Sequence, residues 1–133
     1  MFTYETEIKW HQTDAAGVLF YAQVFLIIHD AYQALMQAIG FPLSHFTYDL
    51  KYAIPIVHAE ANYHTPLRCG DQVKINARVD HIGKSSFSVS YSLSDKKGIK
   101  AATAQTIHVA IDPKHHKKIN LPEPLSSALA VYK

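Results

Sequence analysis

Residues 22–39 read AQVFLIIHDAYQALMQAI, and this stretch decides the fold. Gln23, Asp30, Gln33 and Gln37 are separated by seven, three and four positions, so on a helix they form one polar stripe. Val24, Phe25, Leu26, Ile27, Ile28, Ala31, Tyr32, Leu35, Met36 and Ile39 fill most of the remaining surface. A helix apolar around most of its girth has to be covered on most sides. Gly40 and Pro42 end it. About 18 residues at roughly 1.5 Å each make a rod about 27 Å long.

Outside the rod the hydrophobic period changes from helical to two. Phe2, Tyr4, Thr6, Ile8 and Trp10 alternate with Thr3, Glu5, Glu7 and Lys9, which predicts a half-buried strand over Phe2 to Trp10. His11 to Gly17 reads as a loop. Beyond the helix, Lys51 to Tyr63 is β-prone, and Pro55 marks it as an edge or a bulge. Pro66 to Asp71 is a turn. Val73, Ile75, Ala77 and Val79 alternate with polar residues, as do Phe87, Val89, Tyr91 and Leu93. DKKG, 95–98, is a hairpin loop, and Ile99 to Ile111 is the last long strand. The stretch from about 113 to 133, with its basic run KHHKK at 114–118, reads as a tail that packs or frays. The expectation is an α+β fold: one long central α-helix, then four strands of antiparallel meander, with the sheet wrapped around the helix.

The 133 residues suit a single domain spanning 1–133. Hydrophobic residues make up 48% and charged residues 18%, so the surface is slightly poor in charge, as when other subunits cover part of it. A formal net charge of +2 gives bulk electrostatics no reason to favour nucleic acid. Cys69 is the only cysteine, so no intramolecular disulfide forms and a reducing compartment is the simplest reading. MFTYETEIKW has no signal-peptide pattern, and the apolar stretch Val18 to Ile28 is too short to span a bilayer. A cytoplasmic protein with no membrane partner is expected.

One carboxylate, Asp14, stands in a small-residue turn just before the rod, in HQTDAAGVLFYAQVF at 11–25. From spacing alone it is either a turn-capping residue or a functional acid. The N–H groups at the start of the rod lack intrahelical partners and can polarise a carbonyl oxygen. The carboxylate and these donors stand within eight residues of each other.

TDAAGVLFYAQVF (13–25) resembles the signature of the 4-hydroxybenzoyl-CoA thioesterase family of hotdog-fold proteins, in which an Asp, a short turn with Gly and an aromatic pair precede the central helix. YAIPIVHAEANYHTPLRCGDQV (52–73) and GKSSFSVSY (83–91) fit the same family, so the likeness covers nearly the whole chain. IPIVHA, RCGD and AQTIHVAI look most like the members that cleave 1,4-dihydroxy-2-naphthoyl-CoA in menaquinone and phylloquinone biosynthesis.

The resemblance implies a thioester hydrolase acting on an aromatic acyl-CoA, with Asp14 as catalytic carboxylate and the backbone N–H of Tyr21 facing the thioester oxygen. Whether Asp14 attacks directly or acts as base toward water stays open. Gly17 would supply the turn geometry. Phe20 and His11 are candidates to line the substrate pocket. Lys84, Ser85 and Ser86 read either as contacts to the coenzyme A phosphates or as a solvated hairpin. His58 and Glu60 share a strand face and read as a second acid–base couple or, more blandly, a surface pair. No metal is expected, since CxxC and HExxH are absent and His115 and His116 are adjacent. No GxSxG occurs, and Cys69 has no base near it in sequence. No cofactor is expected beyond the coenzyme A of the substrate. The resemblance also implies a homo-oligomer, a dimer or dimer of dimers, in which protomers join edge to edge with active sites at the seam. The alternatives are a thioesterase for short or medium aliphatic acyl-CoA or acyl carrier protein thioesters, and a non-catalytic acyl-CoA-binding module.

Overall fold

The computed structural model describes residues 1–48 and 51–133. The elements in chain order are β1 (Phe2–Glu7), α1 (Gln23–Ala38), α2 (Ser44–Tyr48), β2 (Ile56–Tyr63), β3 (Gln72–Ile82), β4 (Ser86–Ser94), β5 (Lys100–Val109), β6 (Ile111–Asp112), β7 (Lys117–Lys118) and α3 (Glu123–Ala130). A five-stranded antiparallel sheet, ordered β1-β3-β4-β5-β2, curls over α1. From α1 it buries Val24, Ile27, Ile28, Ala31, Tyr32, Leu35 and Met36. From the sheet come Val73, Ile75, Ala77 and Val79 of β3 and Phe87, Val89, Tyr91 and Leu93 of β4. Each large apolar side chain taken out of water in this way contributes about 1.5–3 kcal/mol.

Two features depart from the sequence expectation, and a third point it left open is decided. β3, β4 and β5 form a meander, but β2 does not join it beside β3; it lies at the far edge, paired with β5 from Ile56↔His108 to Tyr63↔Ala102. The link from β2 to β3 passes the start of α1, held by Leu19 N–H to Leu67 C=O (2.7 Å) and Ile8 N–H to Asp71 C=O (2.9 Å). Alternation sets which face of a strand is buried and says nothing about which strand lies beside it. The first strand ends at Glu7, because the Lys9 N–H donates to Gln12 Oε1 (2.8 Å) and the chain turns over Trp10–Gln12, leaving Trp10 83% exposed. The C-terminal stretch packs: α3 buries Leu125 and Leu129, the Val79 N–H donates to Tyr132 C=O (2.9 Å), and the Tyr132 ring meets Phe2 edge-on at 5.8 Å.

β2 is exposed along nearly its whole length, on both faces. Its outer edge carries no partner strand among the described residues. Ile56, Val57 and Tyr63 of this strand are exposed, and so is Leu26 of α1. No described helix is long and apolar enough to cross a membrane.

Candidate active site

The turn before α1 is built on Asp14. Its N–H donates to Val18 C=O (2.9 Å), its C=O accepts from Gly17 N–H (3.0 Å), and its Oδ1 accepts from the N–H groups of Ala16 (2.9 Å) and Val18 (3.4 Å). The capping reading of Asp14 is therefore met by one oxygen. The other, Oδ2, has no hydrogen-bond partner among the described residues, and the residue is exposed. Gly17 closes the turn at φ +79°, in the left-handed region that favours glycine. A Cβ there would meet nothing nearer than Arg68 Nη1 at 3.8 Å, so backbone conformation rather than space calls for glycine.

α1 begins at Gln23, with Ala22 as its cap and no side chain closing the end. Gln23 N–H donates to Phe20 C=O (2.9 Å), Val24 N–H to Tyr21 C=O (3.3 Å) and Phe25 N–H to Ala22 C=O (3.2 Å). The N–H groups of Tyr21 and Ala22 have no acceptor among the described residues. They stand at the positive end of the helix dipole.

Asp14 and Tyr21 share a cleft of about 450 Å³, lined also by Phe20, Val24, Tyr63 and Leu67 among others. Leu67, Ala101 and Ala102 make its floor apolar. Phe20 and Tyr21 pack edge to face at 4.8 Å, and Tyr63 Oη donates to Tyr21 C=O at 2.8 Å. The arrangement offers a carboxylate and the unpaired Tyr21 N–H in one cleft with an apolar bed, which suits attack on a carbonyl attached to an apolar group. A larger hollow of about 760 Å³ on the outer sheet face is lined by polar groups such as Asn62, Arg78, Ser90 and Gln105 and offers no such pairing.

The structure does not bring the remaining candidates to this cleft. His11 stands exposed in the short turn before Thr13 and is not part of the cleft wall. Lys84, Ser85 and Ser86 follow β3, whereas the cleft lies beside the Arg68 loop that precedes it. The 11 residues of β3 put about 35 Å, at roughly 3.3 Å per residue, between those ends. The 83–86 loop is instead fastened to the C-terminal stretch, with Lys84 C=O accepting from Leu121 (2.8 Å) and Ser85 C=O from Ala110 (2.8 Å). There it neighbours the basic β6–β7 turn, where a hydrogen bond from His115 holds the Asp112 carboxyl below the usual range. His58 and Glu60 form an exposed pair at 3.9 Å on β2, away from the cleft. Among the described residues no three His, Cys, Asp or Glu side chains gather as metal ligands do.

Two features were not read from the sequence. Tyr63 and Leu67 in the cleft wall are one: an aromatic at a strand end and a leucine in a turn carry no local signal of a site. The other is a buried polar chain beneath α1. Tyr91 Oη and Thr106 Oγ1 lie 3.2 Å apart, and Thr106 Oγ1 and His108 Nε2 2.8 Å. His108 is stacked between Tyr32 (4.3 Å) and Phe87 (4.8 Å), and its Nδ1 is without a partner among the described residues. Burial pushes His108 down to about 3 and the Tyr32 and Tyr91 phenols well up, so all three are neutral at pH 7.

The sequence matches the thioesterase-like superfamily over residues 8–129. It is 38% identical to a 1,4-dihydroxy-2-naphthoyl-CoA hydrolase of Synechococcus elongatus, over 98% of this chain and 96% of that one. A 1,4-dihydroxy-2-naphthoyl-CoA hydrolase of Crocosphaera subtropica is 36% identical, with 90% and 88% covered. The crystal structure of a 1,4-dihydroxy-2-naphthoyl-CoA thioesterase from Synechocystis superposes with a TM-score of 0.93 at 31% identity, covering 97% of this chain and 95% of that one.

Proposed function

The chain belongs to the thioesterase-like superfamily and has its hotdog fold, and on that premise we propose that it hydrolyses an aromatic acyl-CoA, 1,4-dihydroxy-2-naphthoyl-CoA in quinone biosynthesis being the favoured substrate. The observation that carries this reading is the meeting, in one cleft, of Asp14, whose Oδ2 is free of the turn, with Tyr21, whose N–H is unpaired, over an apolar floor. The thioester carbonyl oxygen lies against Tyr21 N–H and Ala22 N–H, and the acyl ring lies on Leu67 and the alanines of β5. Asp14 Oδ2 then either attacks the carbonyl carbon, breaking the C–S bond and leaving a mixed anhydride that water hydrolyses, or takes a proton from a water that attacks the carbonyl, passing it to the departing sulfur as the C–S bond breaks. One well-placed oxyanion donor is worth about 2.7–4 kcal/mol of barrier. No cofactor or metal takes part, and coenzyme A leaves as a thiol.

The test is a panel of aromatic and aliphatic acyl-CoAs and an acyl carrier protein thioester, each assayed by trapping the released thiol with a dye. Fastest turnover on 1,4-dihydroxy-2-naphthoyl-CoA is the expected result. Preferred hydrolysis of a straight chain would move the reading to an aliphatic thioesterase, and binding without thiol release would move it to a non-catalytic module.

The working unit in this reading is a homo-oligomer. The bare β2 edge and its exposed Ile56 and Val57 suit pairing with a second copy. Edge-to-edge pairing about a two-fold axis runs the two β2 strands antiparallel. It carries the partner's 83–86 loop toward this chain's cleft, where its cation and hydroxyls would meet the coenzyme A phosphates. Dimers of this kind then pair into tetramers. A cytoplasmic setting accompanies the substrate and the exposed free thiol of Cys69.

Val57→Glu tests the seam. It adds an acid to a strand that already holds Glu60, so the paired strands would bring four acids to one seam. Light scattering should show monomers, and turnover should fall at least about tenfold as like charges across a desolvated interface repel. A fully active monomer would remove the seam from the mechanism.

A further inference from the structure

We propose that Tyr63 is a positioning residue of this reaction: its phenol holds in place the turn that presents the Tyr21 and Ala22 N–H groups to the thioester oxygen. The proposal rests on the thioesterase reading and adds to it a residue on the edge strand, 42 positions away in the chain.

α1 needs such a support. No side chain caps its first turn, and the bond from Val24 N–H to Tyr21 C=O is long, at 3.3 Å. Uncapped helix ends fray, and a frayed end scatters the N–H groups that would have to converge on one oxygen. The Tyr63 phenol steadies this turn in another way than a cap would: it donates to a carbonyl and leaves the N–H groups free. It donates to Tyr21 C=O at 2.8 Å, and that carbonyl belongs to the peptide unit that carries the Ala22 N–H. A donor on the carbonyl fixes the plane of the unit and makes its N–H a stronger donor.

The base of this strut is firm. Tyr63 pairs with Ala102 of β5, and the next two N–H groups, of His64 and Thr65, both donate to Ala101 C=O at 2.9 and 3.1 Å. Its ring lines the same cleft as Asp14. Partial burial and the neighbouring Tyr21 raise the phenol above its ordinary range, so it keeps its proton and remains a donor at neutral pH.

Tyr63→Phe keeps the ring and deletes only the hydroxyl. In the assembled enzyme with its best aromatic acyl-CoA, kcat should fall about tenfold, the worth of one lost hydrogen bond felt in the transition state, with KM within about twofold. Tyr63→Leu, which loses ring and hydroxyl together, should raise KM as well. A readout independent of rate is the carbonyl stretch of the bound thioester, recorded by infrared difference spectroscopy in the slow Asp14→Asn background. The shift to lower frequency on binding should shrink when Tyr63→Phe is added. A kcat within twofold of wild type, a loss carried by KM alone, an unchanged carbonyl shift, or a loss that tracks dissociation in light scattering would each overturn the proposal. If wild-type protein releases no thiol from any acyl-CoA, the thioesterase reading itself fails, a different result from any of these.

Discussion

Asp14→Asn is expected to lower turnover by about 10²–10⁴-fold, the range associated with a general base, while the protein melts within a few degrees of wild type. The structure separates the two jobs of this side chain. Oδ1 accepts the N–H groups of Ala16 and Val18 and shapes the turn, and the amide oxygen of an asparagine can accept both in the same way. What the substitution removes is the negative charge and the basic Oδ2. KM should change little, because the apolar bed of Leu67, Ala101 and Ala102 is untouched. Asp14→Ala makes the contrast: it deletes the turn bonds too, and should lose stability of about 0.5–2 kcal/mol together with activity. Steady-state kinetics by thiol release, run beside thermal melts of both variants, check this. An Asp14→Asn protein with wild-type kcat would take the carboxylate out of the mechanism.

The second large effect belongs to the interior. His108 is fully buried and, through burial, protonates only near pH 3 instead of its ordinary 6.5. The unfolded chain therefore binds a proton that the folded one refuses wherever the pH lies between those values. This contribution is fully present above pH 6.5 and is lost as the pH falls toward about 3. The slope approaches about 1.4 kcal/mol per pH unit once the unfolded histidine is protonated, so acidifying by two units from 6.5 should remove about 2 kcal/mol through this residue. Carboxylates also titrate at the acid end, and His108→Phe separates them. The phenylalanine ring fills the stack between Tyr32 and Phe87, Thr106 keeps Tyr91 as a partner, and no buried group is left to protonate. Urea unfolding at a series of pH values should give a steeper acid loss for wild type than for His108→Phe, differing by one proton. Parallel curves would show that His108 takes up no proton on unfolding.

The central helix was legible because its polar stripe and apolar girth follow from local period alone, and so were the buried faces of β3 and β4. The place of β2 was not. Pairing across the sheet depends on how the Pro66–Asp71 link runs past the helix, a tertiary matter that leaves no mark on alternation. Trp10 continued the alternating pattern in sequence, yet the chain had already turned through the Lys9–Gln12 bond. Asp14 and Gly17 could be picked out because a lone acid and a flexible residue beside a helix start are locally conspicuous. Lys84, Ser85 and Ser86 were conspicuous too, but their separation from Asp14 follows from the length of β3. His108 sat in an alternating strand like any inward residue, and its unpaired Nδ1 is visible only once the stack around it is assembled.

The distance along β3 that parts Asp14 from the 83–86 loop bears on inheritance as much as on chemistry. In the edge-to-edge pair proposed above, a polypeptide crippled at its acid would still lend a sound loop to its neighbour, and one crippled at the loop would still lend a sound acid. Co-expressed, two individually dead alleles would rebuild one whole mouth in every hybrid pair. A defective copy expressed beside a healthy one would, by the same logic, spoil half of the mouths it joins.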